Sequence, residues 1–304
     1  MPPSAIARVP ASTANLGPGF DCLGLALDLY NTVNLSVTGM TEVSVRGEGT
    51  GALPLNQQNL VLRAANRLAE QAGVQVPGWR LEQENEIPLA RGLGSSSAAI
   101  VGGLVAANEL LRTGASPQEL LELATAIEGH PDNVAPALFG GLTVCAREGE
   151  TVHCVALQPP AGLQVAVAIP MLEMSTEAAR AALPNSYSRE DTVYNLTHAA
   201  LTVAALVEGR FDLLRAAMQD RVHEPYRLPL MPRLVEVMEA AQEAGALAAV
   251  LSGSGPSVAA FCDRLEAAIE EAMVEAFARI GHKAEVRWLQ PAHGALDPDW
   301  TMRV

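Results

Sequence analysis

Lysine is all but missing from this chain: Lys283 is the only one in 304 residues. A Walker-type phosphate loop, the strand lysine of a protein kinase and a Schiff-base lysine are therefore excluded unless Lys283 fills the role. Positive charge is scarce altogether, with 20 basic against 34 acidic residues, a formal net charge of −14 and a pI near 4.8. A nucleic acid or an anionic membrane wants a basic face, so neither is an expected partner. Aromatic residues make up only 4% of the chain, so its core must be built from Ala, Leu and Val. Cysteine is sparse and unpaired by spacing: Cys22, Cys145, Cys154 and Cys262 form no Cys-x-x-Cys, which argues against a zinc site or a disulfide framework. No run has the length of a signal-peptide core or a membrane span, so the expected setting is soluble and cytoplasmic. What remains is a chain 49% hydrophobic and 18% charged, long enough for two domains.

The richest stretch is Pro88-Leu-Ala-Arg-Gly-Leu-Gly-Ser-Ser-Ser-Ala-Ala99, which runs into the apolar Ile100-Val-Gly-Gly-Leu-Val-Ala-Ala107. It joins a glycine- and serine-rich loop to a segment that reads as a buried helix. Gly92 and Gly94 permit positive φ and close backbone approach. Ser95, Ser96 or Ser97 can cap the helix, and its first turn presents free N–H groups and a positive dipole end suited to phosphate. The plainer reading is a serine-rich turn, but these serines supply more hydroxyls than one cap uses. With no lysine at hand, any phosphoryl transfer here must rely on backbone amides, a metal ion and arginine.

Along the chain, Ser4 to Val9 reads as a strand and Pro10 to Cys22 as a binding loop. Gly24 to Tyr30, Asn34 to Thr38 and Glu42 to Gly47 read as strands, the last two as a meander. Asn59 to Ala72 has helical periodicity, Trp79 to Glu84 alternates as a strand, and helices follow over Ala98 to Leu111 and Pro117 to Ile127. Glu128-Gly-His-Pro-Asp-Asn-Val-Ala-Pro136 breaks the helical pattern. A hairpin follows over Leu142 to Ala146 and His153 to Leu157, and Gln158-Pro-Pro-Ala-Gly162 marks the expected boundary between domains 1–158 and 159–304. The second half alternates strands at Gln164 to Ile169, Gly245 to Leu251, Val258 to Cys262 and His282 to Leu289 with helices over Thr176 to Ala182, Arg189 to Gly209, Phe211 to Gln219, Met231 to Ala244 and Leu265 to Ile280. That rhythm predicts a small α/β sandwich.

Three stretches, Pro10-Ala-Ser-Thr-Ala-Asn-Leu-Gly-Pro-Gly-Phe-Asp21, Pro88 to Ala98 and Leu251-Ser-Gly-Ser-Gly-Pro-Ser257, resemble in order the three motifs of the GHMP small-molecule kinases. The first of them, together with Glu128 to Pro136, is similar to the homoserine kinase branch. The resemblance implies an α+β, two-domain GHMP kinase fold, with a ribosomal-protein-like N-terminal domain and a ferredoxin-like C-terminal domain. It implies ATP-dependent phosphorylation of the homoserine hydroxyl in threonine biosynthesis, Mg²⁺ as cofactor and a homodimer.

For the site, the resemblance implies nucleotide contacts from Pro88, Leu89, Ala90, Arg91, Gly92, Leu93, Gly94, Ser95, Ser96, Ser97 and Ala98. Asn59 is a further candidate at the adenine, with helix capping the competing reading. Glu128 is the candidate Mg²⁺ ligand, because that ion takes one or two carboxylates beside phosphate and water. Ser96 joins it, and Ser97 departs from the family pattern, where alanine is common. Asp132 and Asn133 are the candidates for orienting the attacking hydroxyl, and the plainer reading is an Asx-turn. Asn15, Asp21, His130, Thr176, Arg180, Arg227, Gly253 and Ser254 complete the substrate set, the arginines as partners of a carboxylate. Competing readings are another GHMP kinase such as mevalonate kinase, a serine hydrolase using Ser96, and a ligand-binding regulator without catalysis.

Overall fold

The computed structural model describes residues 3–298 and, for the backbone alone, residues 301–303. The chain opens with β1 (Ser4–Ala14) and β2 (Leu23–Val37), paired antiparallel with a register shift between Pro10 and Ala11. The expected binding loop is therefore strand as far as Ala14, and the two expected strands at 24–38 are one. Alternation explains the second point: Leu25, Leu27, Leu29, Asn31, Val33 and Leu35 all point inward from β2.

β3 (Glu42–Gly47), α1 (Leu60–Gln71) and β4 (Trp79–Asn85) follow. β3 pairs with β4 in parallel and not with β2, so the expected meander is absent. The long α1 crossover makes that parallel pairing possible, since parallel neighbours need a connection that returns the chain to the same end of the sheet.

α2 (Ser95–Leu111) begins at Ser95 rather than Ala98, and its N-cap is Gly94 in the left-handed region, with no serine side chain bonded as cap. Its alanines and glycines allow close packing on β1, β2 and α1; a Cβ on Gly103 would stand 2.2 Å from the Val61 carbonyl. α3 (Pro117–Glu128) carries a full capping box, Ser116 with Glu119. The segment expected to break helicity contains α4 (Pro131–Phe139), started by Pro131 at its first turn, where a missing N–H costs nothing. β5 (Leu142–Glu148) and β6 (Thr151–Leu157) form the expected hairpin.

β7 (Gln164–Pro170) opens the second sheet. α5 (Thr176–Ala181), α6 (Arg189–Val207), α7 (Leu214–Ala217), α8 (Glu224–Arg227) and α9 (Leu234–Glu243) precede β8 (Ala248–Leu251) and β9 (Val258–Cys262). α10 (Ala267–Arg279) and β10 (Ala284–Leu289) complete that sheet, ordered β10-β7-β9-β8 and antiparallel throughout. β7, β8 and β9 are apolar at nearly every position because both faces are covered, whereas the edge strand β10 carries Glu285 and Arg287. Val165, Val167, Val250 and Phe261 join the core of the first half, while Ala166, Ala168, Leu251 and Ala260 meet α9 and α10. The chain then returns: Leu27 bridges Pro291, Gly140 bridges His293, and β11 (Thr301–Arg303) pairs with β1. The first sheet thus draws strands from both ends of the chain.

One contact sets α4 against β2. A Cβ on Gly24 would lie 1.9 Å from the Asp132 carbonyl and 2.8 Å from Pro136 Cγ. Pro136 has no N–H for that carbonyl four residues back, and the gap lets β2 pass close beneath. Gly24→Ala is expected to destabilise the protein by about 1–3 kcal/mol through overpacking. Gly39→Ala, with nothing within 4 Å of the new methyl, should leave the midpoint of urea unfolding almost unmoved. Equal midpoints for the two variants would show that α4 yields freely.

Candidate active site

Three loops from distant parts of the sequence meet at one place. The Ser12 N–H donates to the Leu93 carbonyl (3.1 Å) and its hydroxyl to Asn133 Oδ1 (2.8 Å). The Ser252 hydroxyl donates to the Gly92 carbonyl (2.7 Å) and lies 2.9 Å from the Thr13 hydroxyl. The Gly253 N–H donates to the Ala14 carbonyl (3.2 Å), and the Gly253 carbonyl accepts from Asn15 Nδ2 (2.9 Å) and Arg227 Nη1 (3.1 Å). Asn15 (φ 71°), Leu16 (49°), Asp21 (56°) and Ala90 (53°) sit in the left-handed region without being glycine. Such residues cost of order 1–3 kcal/mol each, and they cluster here.

The loops enclose a cavity of about 370 Å³. Its wall includes every residue of the glycine–serine stretch from Pro88 to Ser96, with Asn59, Glu128, His130, Asp132 and Asn133. It also includes Asn15, Asp21, Thr176, Arg180, Arg227, Gly253 and Ser254. Ser97 and Ala98 stand behind the wall, fully buried. Sequence reasoning did not single out Leu53, Leu60 and Met174, which add apolar surface. Ordinary apolar residues, in loops for Leu53 and Met174 and at the start of α1 for Leu60, carry no signal of that kind.

No side chain caps α2, so the N–H groups of its first turn are open toward the loop. The Ser96 and Ser97 hydroxyls both donate to one oxygen of Glu128, Oε1, at 2.6 and 2.9 Å. A carboxylate with hydroxyls beside a helix N-terminus fits Mg²⁺, an ion that takes oxygen ligands alone, and the open amides fit its phosphate partner. Asn59 is spent as a helix cap: its Oδ1 accepts from the Val61 N–H and its Nδ2 donates to the Pro54 carbonyl. Arg91 is tied to the Pro170 and Leu89 carbonyls and to Glu173, 3.5 Å away.

At the other end, ligand atoms of Asp21, His130 and Asp132 converge within 4.8 Å. His130 Nδ1 hydrogen-bonds Asp132 Oδ1; burial opposes charge on the ring, but the bond and charge of Asp132 hold its pKa above the ordinary value. Asp21 forms a bidentate pair with Arg180, at 2.6 and 2.9 Å. Arg227 is different. It is 2% exposed, and among the described residues no carboxylate lies within ion-pairing distance. Its Nε and Nη1 serve the Ala179 and Gly253 carbonyls and His223, leaving Nη2 without a partner among the described residues. Phe20 lies beneath both guanidiniums, 5.0 Å from Arg227 and 5.5 Å from Arg180. Burial and then the neighbouring Arg180 lower the Arg227 pKa, as expected of a cation waiting for an anion.

The family models agree with this geometry: one for the GHMP kinases N terminal domain matches residues 59–141, and one for GHMP kinases C terminal matches residues 202–279. The chain belongs to the GHMP kinases. Within this family it is 48% identical to the homoserine kinase of Moorella thermoacetica, over 96% of the chain and 99% of that protein. It is 52% identical to the homoserine kinase of Deinococcus radiodurans, over 84% of each. A crystal structure of homoserine kinase from Cytophaga hutchinsonii superposes with TM-score 0.87 at 32% identity, covering 99% of this chain and 97% of that one. The mevalonate kinase of L. major shares the fold, with TM-score 0.71 at 15% identity over 95% and 97% of the two chains. The two-domain α+β GHMP kinase fold expected from the motifs is the fold found. The serine hydrolase reading is less supported: the Ser96 hydroxyl donates to Glu128 rather than to a histidine, and the relatives are homoserine kinases.

Glu224, at the start of α8, is buried and accepts the Leu251 N–H at 2.8 Å, anchoring the strand that leads into the Ser252–Gly253 turn. Burial pushes its carboxyl up to about 8, so the carboxylate nearest Arg227 in sequence stays largely protonated and leaves that cation uncompensated. The folded protein then keeps a proton that the unfolded chain releases above about 4.5, and stability falls as pH rises toward 8. Glu224→Gln preserves the acceptor for Leu251 and is expected to flatten that fall in urea unfolding between pH 5 and 8. Parallel pH profiles for the two proteins would mean that Glu224 is already ionised when folded.

Proposed function

We propose that this chain transfers the γ-phosphoryl group of ATP to the side-chain hydroxyl of L-homoserine, giving O-phospho-L-homoserine and ADP. One observation carries the reading: a single cavity holds an uncapped helix N-terminus at one end and a buried guanidinium without a carboxylate at the other. The first suits a polyphosphate and the second a remote carboxylate. The family and the named relatives support the same assignment.

Homoserine carries an ammonium, a carboxylate and a hydroxyl. In this reading Arg227 receives the carboxylate through its unspent Nη2, with Arg180 beside it, and Asp21 turns toward the ammonium. Asn15, Thr176, Gly253 and Ser254 line that part of the cavity. Asp132 and Asn133, at the N-terminus of α4, hold the hydroxyl in line, and the Asp132 carboxylate takes its proton as the bond forms; His130 fixes that carboxylate. Gly92 to Ser97 cradle the phosphates with backbone N–H groups. Glu128 and Ser96 would hold Mg²⁺, which would neutralise phosphate charge that Lys283, not part of the cavity wall, does not meet. Mevalonate, a hydroxy acid without an amine, would offer Asp21 no ammonium and leave it paired with Arg180 alone. Exposed Val193, Leu196 and Val207 on one helix, α6, support association into a homodimer; a biosynthetic kinase with no helix long and apolar enough to cross a membrane among the described residues is compatible with the cytoplasm.

In an ADP-release assay with Mg²⁺, L-homoserine should be turned over and mevalonate, galactose and shikimate should not. Turnover of mevalonate with none of homoserine would overturn the substrate while leaving the family intact. Glu128→Gln removes the charge that holds the ion and should lower kcat on the order of a hundredfold, partly restored by raised Mg²⁺. Wild-type turnover in that variant at ordinary Mg²⁺ would place the metal ligand elsewhere.

A further inference from the structure

His223 lies directly behind Arg227 and is fully buried. We infer that His223 is a positioning residue for the substrate carboxylate, holding the Arg227 guanidinium and tying it to the loop that carries Asn15 and Asp21. This rests on the reading that Arg227 receives that carboxylate.

The hydrogen bonds fix the ring's state without ambiguity. Nε2 lies 2.8 Å from the Gly17 carbonyl, which can only accept, so Nε2 carries the proton. Nδ1 lies 3.3 Å from Arg227 Nη1, which can only donate, so Nδ1 is bare. The imidazole is therefore neutral, and burial disfavours its charged form, ahead of the opposing charge of Asp220. Three elements hold the ring still. Asp220 accepts the His223 and Glu224 N–H groups, both at 2.7 Å, and its carboxylate stands 3.8 Å from Nε2. Phe20 stacks on the imidazole with centroids 5.5 Å apart. Gly17 takes the far side, and a Cβ there would stand 2.3 Å from the Met218 carbonyl, so its backbone cannot drift outward.

Each end of the imidazole thus touches a different substrate-binding element. Nδ1 aims the guanidinium, and Nε2 pins the Asn15–Asp21 turn at the register in which Asn15 and Arg227 share the Gly253 carbonyl. A cation held by directed bonds on Nε and Nη1 presents Nη2 in one orientation, which is what an end-on carboxylate contact requires.

The two ends can be separated by substitution. In His223→Asn the amide oxygen takes the place of Nδ1 and can accept from Arg227, while Gly17 loses its donor. In His223→Gln the amide nitrogen takes the place of Nε2 and can serve Gly17, while Arg227 loses its acceptor. Steady-state kinetics on the full chain should show the homoserine KM raised about tenfold or more in His223→Gln, with kcat changing less and the ATP KM unchanged. His223→Asn should recover most of that loss. Homoserine methyl ester, lacking the negative charge, should suffer much less in His223→Gln than homoserine does. Equal KM values for the two variants, or equal losses on acid and ester, would reduce His223 to a packing residue. Arg227→Ala is the control: a wild-type homoserine KM there overturns the carboxylate reading itself, whereas a large rise there with none in His223→Gln overturns only the role of His223. Should the variants not fold, the histidine side-chain ¹⁵N spectrum of the wild type near neutral pH decides. A neutral ring protonated on Nε2 supports the assignment, and an imidazolium or the other tautomer overturns it.

Discussion

There is no room for a methyl group where the glycine–serine loop crosses the second glycine turn. A Cβ on Gly92 would stand 2.1 Å from the Ser252 carbonyl, and one on Gly94 would stand 2.1 Å from the Ser12 hydroxyl. Everything in the cavity depends on that approach. The two halves of the chain approach there at main-chain distance, and short side chains, Ser252 on the Gly92 carbonyl and Asn15 on the Gly253 carbonyl, lock the approach, so the separation between phosphate cradle and guanidinium has little room to vary. The strained residues around it are held by the surrounding ladder of loop-to-loop hydrogen bonds, from Ser12, Asn15, Ser252 and Gly253. A catalyst of group transfer gains from such stiffness, because misplacement of either end by a fraction of a bond length weakens in-line attack.

An acidic protein that handles anions must concentrate its positive potential. The chain does so with groups whose charge survives burial. Guanidinium, unlike ammonium, is weakly hydrated and keeps its proton in apolar surroundings, and it does so here against an aromatic face and beside a largely protonated Glu224. At the phosphate end, helix amides supply the field without any titratable group. The surrounding carboxylates then act as a background that repels stray anions from the rest of the surface.

Much of this was readable beforehand, for physical reasons that differ by residue. The phosphate loop declared itself through glycine and serine, residue types that a left-handed turn facing a helix N-terminus demands. Arg180 and Arg227 came from the resemblance, since composition does not separate them from the chain's other arginines. α4 was misread because His130-Pro131-Asp132-Asn133 has turn composition, although a proline at the first helical position is also a helix start. The parallel β3–β4 pairing could not be seen locally, since strand direction is decided by the crossover and not by the strand's own residues. His223 had a faint signal, its place four residues before Arg227, where a short helix stacks the two side chains. The role of Asn59 as a cap was one of two readings that composition left open, and the Val61 N–H takes the side chain that way.

The return of β11 to the edge of β1 has a consequence for how the chain comes into being. A ribosome releases the first sheet's central strands long before the strand that covers their flank. Through most of synthesis β1 therefore offers an unpaired edge, a place where nascent chains can join one another. The second sheet, whose strands all lie between residues 164 and 289, is complete sooner than the first. Maturation of this protein thus runs partly against the direction of translation, with the N-terminal half finished last.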